Sequence, residues 1–143
     1  MSTILYAEDD RDCRELFAFA LRHQGHAVHE ALNGAQAVQI VRDESLDLVI
    51  LDARMPMMTG YEAARMIATE RPDIPIMFLS ARGLRREINL AFECGPAVVD
   101  YLVKPVSPEK LVARVKTILT DCQARGIEAV RTENMMRELV VEW

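Results

Sequence analysis

The 143-residue chain predicts an α/β fold, (βα)5: a doubly wound, five-stranded parallel sheet in strand order 2-1-3-4-5. Three observations carry this. Short apolar runs alternate with helical patterns five times, which requires parallel strands joined by crossover helices. Residues 26 to 31, His-Ala-Val-His-Glu-Ala, mix polar and apolar positions as an edge strand does, whereas the other four runs read as buried on both faces. The length suits one domain with one sheet-centred interior.

Ile4 to Ala7 forms the first strand. Cys13, Leu16, Phe17 and Ala20 recur at helical spacing and give the next helix its buried face, with Gly25 as the C′ residue that ends it. The second strand is Ala27 to Leu32, the third Leu48 to Leu51 and the fourth Ile76 to Leu79. Leu84, Ile88, Ala91 and Phe92 then share a helical face that Gly95 closes, and Val99 to Val103 is the fifth strand. Ser107-Pro108 is an N-cap followed by proline at the first helical position, and Leu111, Val112, Val115, Ile118 and Leu119 face inward after it.

The alternation is complete by Asp121, so residues 1–121 read as the domain and 122–143 as a helical extension or the start of a linker. Thr132 is placed to cap a last short helix carrying Met135, Met136, Leu139, Val140 and Trp143 along one side. Such a helix docks on its own domain; the alternatives are a partner-binding or dimerising helix, or the lead into an output domain.

Composition excludes several classes. Seventeen basic residues against 22 acidic ones give a net charge of −5, which argues against a nucleic-acid module. No apolar run reaches a membrane span, and the start lacks the basic segment of a signal peptide. Cys13, Cys94 and Cys122 are odd in number and widely spaced, as reduced thiols in a cytoplasm are. His23, His26 and His29 fall away from the strand ends that matter, and the four methionines between 55 and 66 read as packing.

The chemistry follows the buried strands. Glu8, Asp9 and Asp10 come after strand one, Asp52 after strand three, Ser80 after strand four and Lys104 after strand five, so one end of the sheet collects them all. Crowded carboxylates repel unless a cation enters, and a donor set of oxygens alone selects a hard ion such as Mg²⁺. A lysine and a hydroxyl beside them suit a phosphoryl group, and an aspartate is a competent phosphoryl acceptor. Asp10 and Asp12 read as a solvated helix start, favoured by the helix dipole.

The segments ILYAEDD, LDLVILDARMPMMTGYE, PIMFLSA and DYLVKP resemble the receiver domains of bacterial response regulators over residues 3 to about 121, a flavodoxin-like fold. The run Asp52-x-x-Met55-Pro56-x-Met58-x-Gly60 is highly specific, with Asp9 lying 43 residues upstream of Asp52 and Lys104-Pro105 downstream. The resemblance implies that Asp52 is the phosphoacceptor and that Asp9, Asp52 and the backbone carbonyl of Arg54 are Mg²⁺ ligands, with Glu8 acting through water. It makes Ser80 the hydroxyl that meets the phosphoryl group, Lys104 its counter-charge and Tyr101 the aromatic switch that turns inward. It further implies a phosphohistidine donor on a sensor histidine kinase or histidine phosphotransferase, and a downstream partner or missing output domain. Nucleic acid and membrane are not expected as partners, and homodimerisation stays open. Phosphotransfer and autodephosphorylation would be self-catalysed, in a cytoplasmic switch rather than an enzyme. A cis Lys104–Pro105 bond is expected.

Two departures stand out. Ser80 and Lys104 are 24 residues apart where the family usually has 22, the surplus falling in Gly95 to Asp100, and the cations Arg54 and Arg82 flank the site. The competing readings are a haloacid-dehalogenase-like phosphatase, which Asp10-x-Asp12 imitates, and a receiver-like module that binds partners without being phosphorylated.

Overall fold

The computed structural model describes residues 2–139. Strands β1 (Thr3–Ala7), β2 (Ala27–Ala31), β3 (Leu48–Leu51), β4 (Ile76–Ser80) and β5 (Val98–Val103) alternate with helices α1 (Arg11–His23), α2 (Gly34–Asp43), α3 (Gly60–Glu70), α4 (Arg85–Glu93) and α5 (Pro108–Arg125). A sixth helix, α6 (Ile127–Leu139), follows. The sheet is parallel with order β2-β1-β3-β4-β5, as the edge-like character of the second strand predicts. No helix among the described residues is long and apolar enough to cross a membrane.

Period-two alternation divides the strand side chains between two cores. Leu5, Ala7, Val49, Leu51, Ile76 and Phe78 face α2, α3 and α4, and Ile4, Tyr6, Leu48, Ile50, Met77 and Leu79 face α1 and α5. Four of the helix starts are capped by side chains: Asp10 accepts from the Cys13 amide, Asn33 from Gln36, Thr59 from Glu62 in a capping box, and Ser107 from Lys110 ahead of Pro108.

The structure corrects several local expectations. On α1 the buried face is Phe17, Ala18 and Leu21, while Leu16 is half exposed, because the helix is rolled by about one position relative to the expected stripe. Leu84 stands exposed at the N-cap of α4. Gly25 takes the left-handed φ of +93° expected at C′. Gly95 does not, and its requirement is proximity: a Cβ there would lie 2.6 Å from the Ala68 methyl. Of the four methionines, Met55 is buried and Met58 and Met66 pack on the core, but Met57 is 86% exposed with φ +69°.

The surplus before Lys104 meets a bulge. Ile76 pairs with Val98 but Met77 with Asp100, so Val99 is an extra residue in β5, and from Asp100 onward the register runs in step to Ser80 opposite Val103. The Lys104 amide bonds the Ser80 carbonyl at 2.9 Å, and the Lys104–Pro105 bond is cis.

Thr132 does not cap the last helix. The helix begins five residues earlier, after Gly126, and Thr132 sits exposed within it. A residue boundary at 121 falls inside α5. Val130 and Asn134 are the buried side chains of α6, with Met135 partly buried and Met136 exposed. Val140 and Trp143 lie outside the described residues, as does the Leu139 side chain.

Candidate functional site

Parallel strands end together, so the residue following each one is delivered to a common rim. The Glu8 amide bonds the Ala31 carbonyl at 3.0 Å and the Asp52 amide the Ala7 carbonyl at 3.1 Å, extending the ladder by one step on either side of β1. This is the point where the chain order reverses, with β1 flanked by β2 and β3. The ligand-capable oxygens of Glu8, Asp9 and Asp52 lie within 4.8 Å of one another. Glu8 is 1% exposed and Asp52 8%, whereas Asp9 opens to solvent.

Lys104 reaches this cluster from β5. Its ammonium bonds Glu8 Oε1 and lies 3.4 Å from Asp52 Oδ2. The other Asp52 oxygen accepts from the Arg54 amide at 3.3 Å. Glu8 also accepts from the Tyr6 hydroxyl at 3.4 Å and the Asp10 amide at 3.2 Å, and Arg14 holds the Glu8 carbonyl from outside at 2.9 Å. One ammonium among three carboxylates leaves negative charge uncompensated. Burial, with the hydrogen bond and charge of Asp52, pushes the Glu8 carboxyl up to about 7 against the opposing pull of Lys104. Burial alone would lower the Lys104 ammonium, yet the bond to Glu8 and the charges of Asp52 and Glu8 outweigh it and hold the group above its ordinary value.

Gly60 explains part of the motif after Asp52. A Cβ at this position would lie 2.0 Å from the Asp52 carbonyl oxygen, and the Gly60 amide bonds Ala53 at 3.0 Å. Only a glycine lets the start of α3 close against the loop that follows β3.

Ser80 is fully buried at the end of β4, where its Oγ accepts from the Arg82 amide at 3.2 Å. Tyr101 is turned inward, 1% exposed, with its hydroxyl donating to the Arg82 carbonyl. Its ring stacks on Phe78 with centroids 5.6 Å apart, and Phe78 stacks on Tyr61 at the same distance. Arg54 is exposed, and Arg82 turns away to pair with Glu87 on the first turn of α4. Asp10 is committed to capping α1 and Asp12 is exposed in its first turn, so the phosphatase-like Asp-x-Asp does not converge on the site. His23, His26 and His29 are in α1, the loop after it and β2.

Sequence reasoning missed two connections. The Arg82–Glu87 pair left no periodic signal. Asp100 did leave one, an acidic residue inside an apolar strand; it is fully buried between Arg114 of α5 and Arg137 of α6.

Residues 4–116 match the family described as "Response regulator receiver domain". The chain belongs to this family. It is 39% identical over 119 residues to the phosphate regulon transcriptional regulatory protein PhoB of Pseudomonas aeruginosa, covering 82% of this chain and 51% of that protein. It is 37% identical over 116 residues to the transcriptional regulatory protein ResD of Bacillus subtilis, covering 81% and 47%. The solved BeF3-activated receiver domain of DrrB superposes with a TM-score of 0.76 at 31% identity, covering 84% of this chain and 98% of that one. A receiver domain protein of Methanospirillum hungatei, at 21% identity and a TM-score of 0.82, shares the fold. The chain is thus a receiver domain of the two-component signalling class, and it spans about half the length of the curated relatives it matches. Glu8, Asp9, Asp52, Ser80 and Lys104 all lie inside the matched span; α6 lies beyond it.

Proposed function

We propose that this receiver domain accepts a phosphoryl group on Asp52 from the phosphohistidine of a sensor histidine kinase or histidine phosphotransferase. The supporting observation is the convergence of Asp52 with Glu8, Asp9 and the Lys104 ammonium at the chain reversal of the sheet. An Asp52 oxygen attacks phosphorus, the bond to the histidine nitrogen breaks, and an acyl phosphate forms. Lys104 then pairs with a phosphoryl oxygen, and the Ser80 hydroxyl donates to another. Self-catalysed attack of water on phosphorus later breaks the acyl phosphate bond, releases inorganic phosphate and returns the carboxylate, so the domain is a timed switch.

Mg²⁺ fits the donor set. It would be held by Asp9, Asp52 and the Arg54 carbonyl, with Glu8 reaching it through water, and would neutralise charge building on the phosphoryl oxygens. The buried, proton-attracting Glu8 is what a site short of one cation looks like. Tyr101, in contact with the backbone beside Ser80, would report the hydroxyl's position to the α4–β5 face. The output is carried by a downstream protein or a further domain, and the setting is cytoplasmic. Acetyl phosphate with Mg²⁺ adds one phosphoryl group to the wild type, read by intact mass; equal labelling of Asp52→Asn would overturn the assignment.

A further inference from the structure

The two edges of the sheet are protected in different ways. The β2 edge is polar: Glu30 pairs with Arg22 at 2.8 Å and with Arg14 at 3.3 Å, and Arg22 also takes the Val28 carbonyl at 2.7 Å. The β5 strand is apolar apart from Asp100, and residues 98 to 102 are buried. Their side chains are buried in the two cores, Val98 and Tyr101 on one face and Val99 and Leu102 on the other, and α6 packs along the open edge between α4 and α5. Val130 enters the core beneath α5, and Met135 packs against the core beneath α4.

The α6 grip is made on main chain. Arg131 donates to the carbonyls of Gly95 (2.7 Å), Val98 (2.8 Å) and Phe92 (3.0 Å), its guanidinium 5.7 Å from the Phe92 ring centre. Asn134 donates to the carbonyl of Val99, the bulged residue, at 2.9 Å. Arg137 reaches buried Asp100 at 3.0 Å. α6 reaches this position by folding back from α5 at one residue, Gly126, whose φ is +92°. Two of these four carbonyls, Val98 and Val99, belong to β5 itself, and carbonyls along a strand edge are what a neighbouring strand would otherwise take.

We propose that α6 is an intramolecular occupant of the β5 edge and keeps it from pairing with a second copy of this chain. A second copy is the fitting competitor because edge pairing uses main-chain groups, and an identical copy brings an identical, largely apolar strand. The charged β2 edge makes each copy competent at one edge only, so pairing closes at two rather than running on as a fibre. The proposal does not involve phosphotransfer, and its outcome is independent of the function assigned to Asp52.

The test uses the full chain carrying Arg131→Ala and Asn134→Ala, with amide hydrogen exchange and sedimentation velocity over a range of concentrations. The wild type stays monomeric. In the variant, exchange across residues 127–139 quickens at least about tenfold, the equivalent of one lost charged hydrogen bond. A dimer then grows with concentration and newly protects the β5 amides. Asn134→Asp, which replaces the donor facing the Val99 carbonyl by an acceptor, gives the same pattern with a milder change. Faster exchange without dimer, a dimer that leaves β5 unprotected, or a wild type that already dimerises through β5 overturns the proposal. Unchanged exchange overturns it too, since the clasp would not be what holds α6.

Discussion

Two buried carboxylate clusters stand at either side of β4, and they are balanced in opposite ways. Asp100, fully buried on β5, meets two guanidiniums and its neighbour's amide: Arg114, Arg137 and the Tyr101 N–H at 2.9 Å. Glu8 and Asp52, nearly as buried, share a single ammonium and sit beside the third carboxylate of Asp9. The first cluster is satisfied by the protein alone and ties α5 and α6 to the sheet. The second is short of positive charge: burial, and then the neighbouring Asp52, raise the Glu8 pKa against the pull of Lys104. Burial of charge therefore marks structure where the counter-charges are complete and a candidate site where they are not.

Single substitutions separate the two. The largest effect is expected at the unbalanced cluster: Asp9→Ala abolishes phosphoryl incorporation from acetyl phosphate, yet leaves the urea midpoint equal or slightly higher, because a like charge is removed. Arg114→Ala does the reverse. It leaves the Asp100 carboxylate with one guanidinium, Arg137, and the Tyr101 amide, and costs about 3 kcal/mol of stability, measured by urea unfolding, while phosphorylation under native conditions persists. A phosphorylated Asp9→Ala protein, or an Arg114→Ala protein of wild-type stability, would erase the distinction.

Much of this is legible in the sequence, and the rest has physical reasons for being hidden. Strand ends are legible because burial on both faces writes itself as unbroken apolar runs, and a polar side chain directly after such a run is conspicuous. Hence the rim of Glu8, Asp9, Asp52, Ser80 and Lys104 is readable before any coordinates. Apolar periodicity fails where polar side chains are buried for the sake of main-chain carbonyls. Arg131 and Asn134 hold the inner side of α6, so the apolar stripe from Met135 to Trp143 suggested the wrong start and Thr132 the wrong cap. The roll of α1 that exposes Leu16 depends on which sheet residues it meets. Gly95 is a matter of distance to Ala68, a contact across 27 positions that no local rule contains.

A third effect, on the order of 2 kcal/mol, follows from the Glu8 carboxyl standing near 7 instead of its ordinary 4.5 in the metal-free protein. Because the folded value is raised, the folded state holds a proton that the unfolded state has released. Its contribution is full below about 4.5 and is lost as pH rises through about 7. Metal-free wild type therefore loses stability relative to Glu8→Gln between pH 5 and 8. His26, lowered by burial, slopes the other way in both proteins and cancels in the difference. Parallel pH profiles would show that Glu8 is not the titrating group.

The smallest effect is the one that joins the two clusters in a single measurement. An ion that binds only the folded chain stabilises it by RT ln(1 + [L]/Kd), about 1.4 kcal/mol at roughly tenfold excess over Kd. Mg²⁺ keeps several waters and dehydrates reluctantly, so millimolar concentrations are needed and the rise in melting temperature is a few degrees. Wild type shows the rise and Asp9→Ala does not, having lost a direct ligand. Arg114→Ala melts lower in the absence of Mg²⁺ but rises by as much as the wild type when it is added, because the Asp100 cluster is complete without an ion and takes none. A Mg²⁺-dependent rise that survives Asp9→Ala would move the ion off the rim of β1 and β3, and the shortage of charge there would need another explanation.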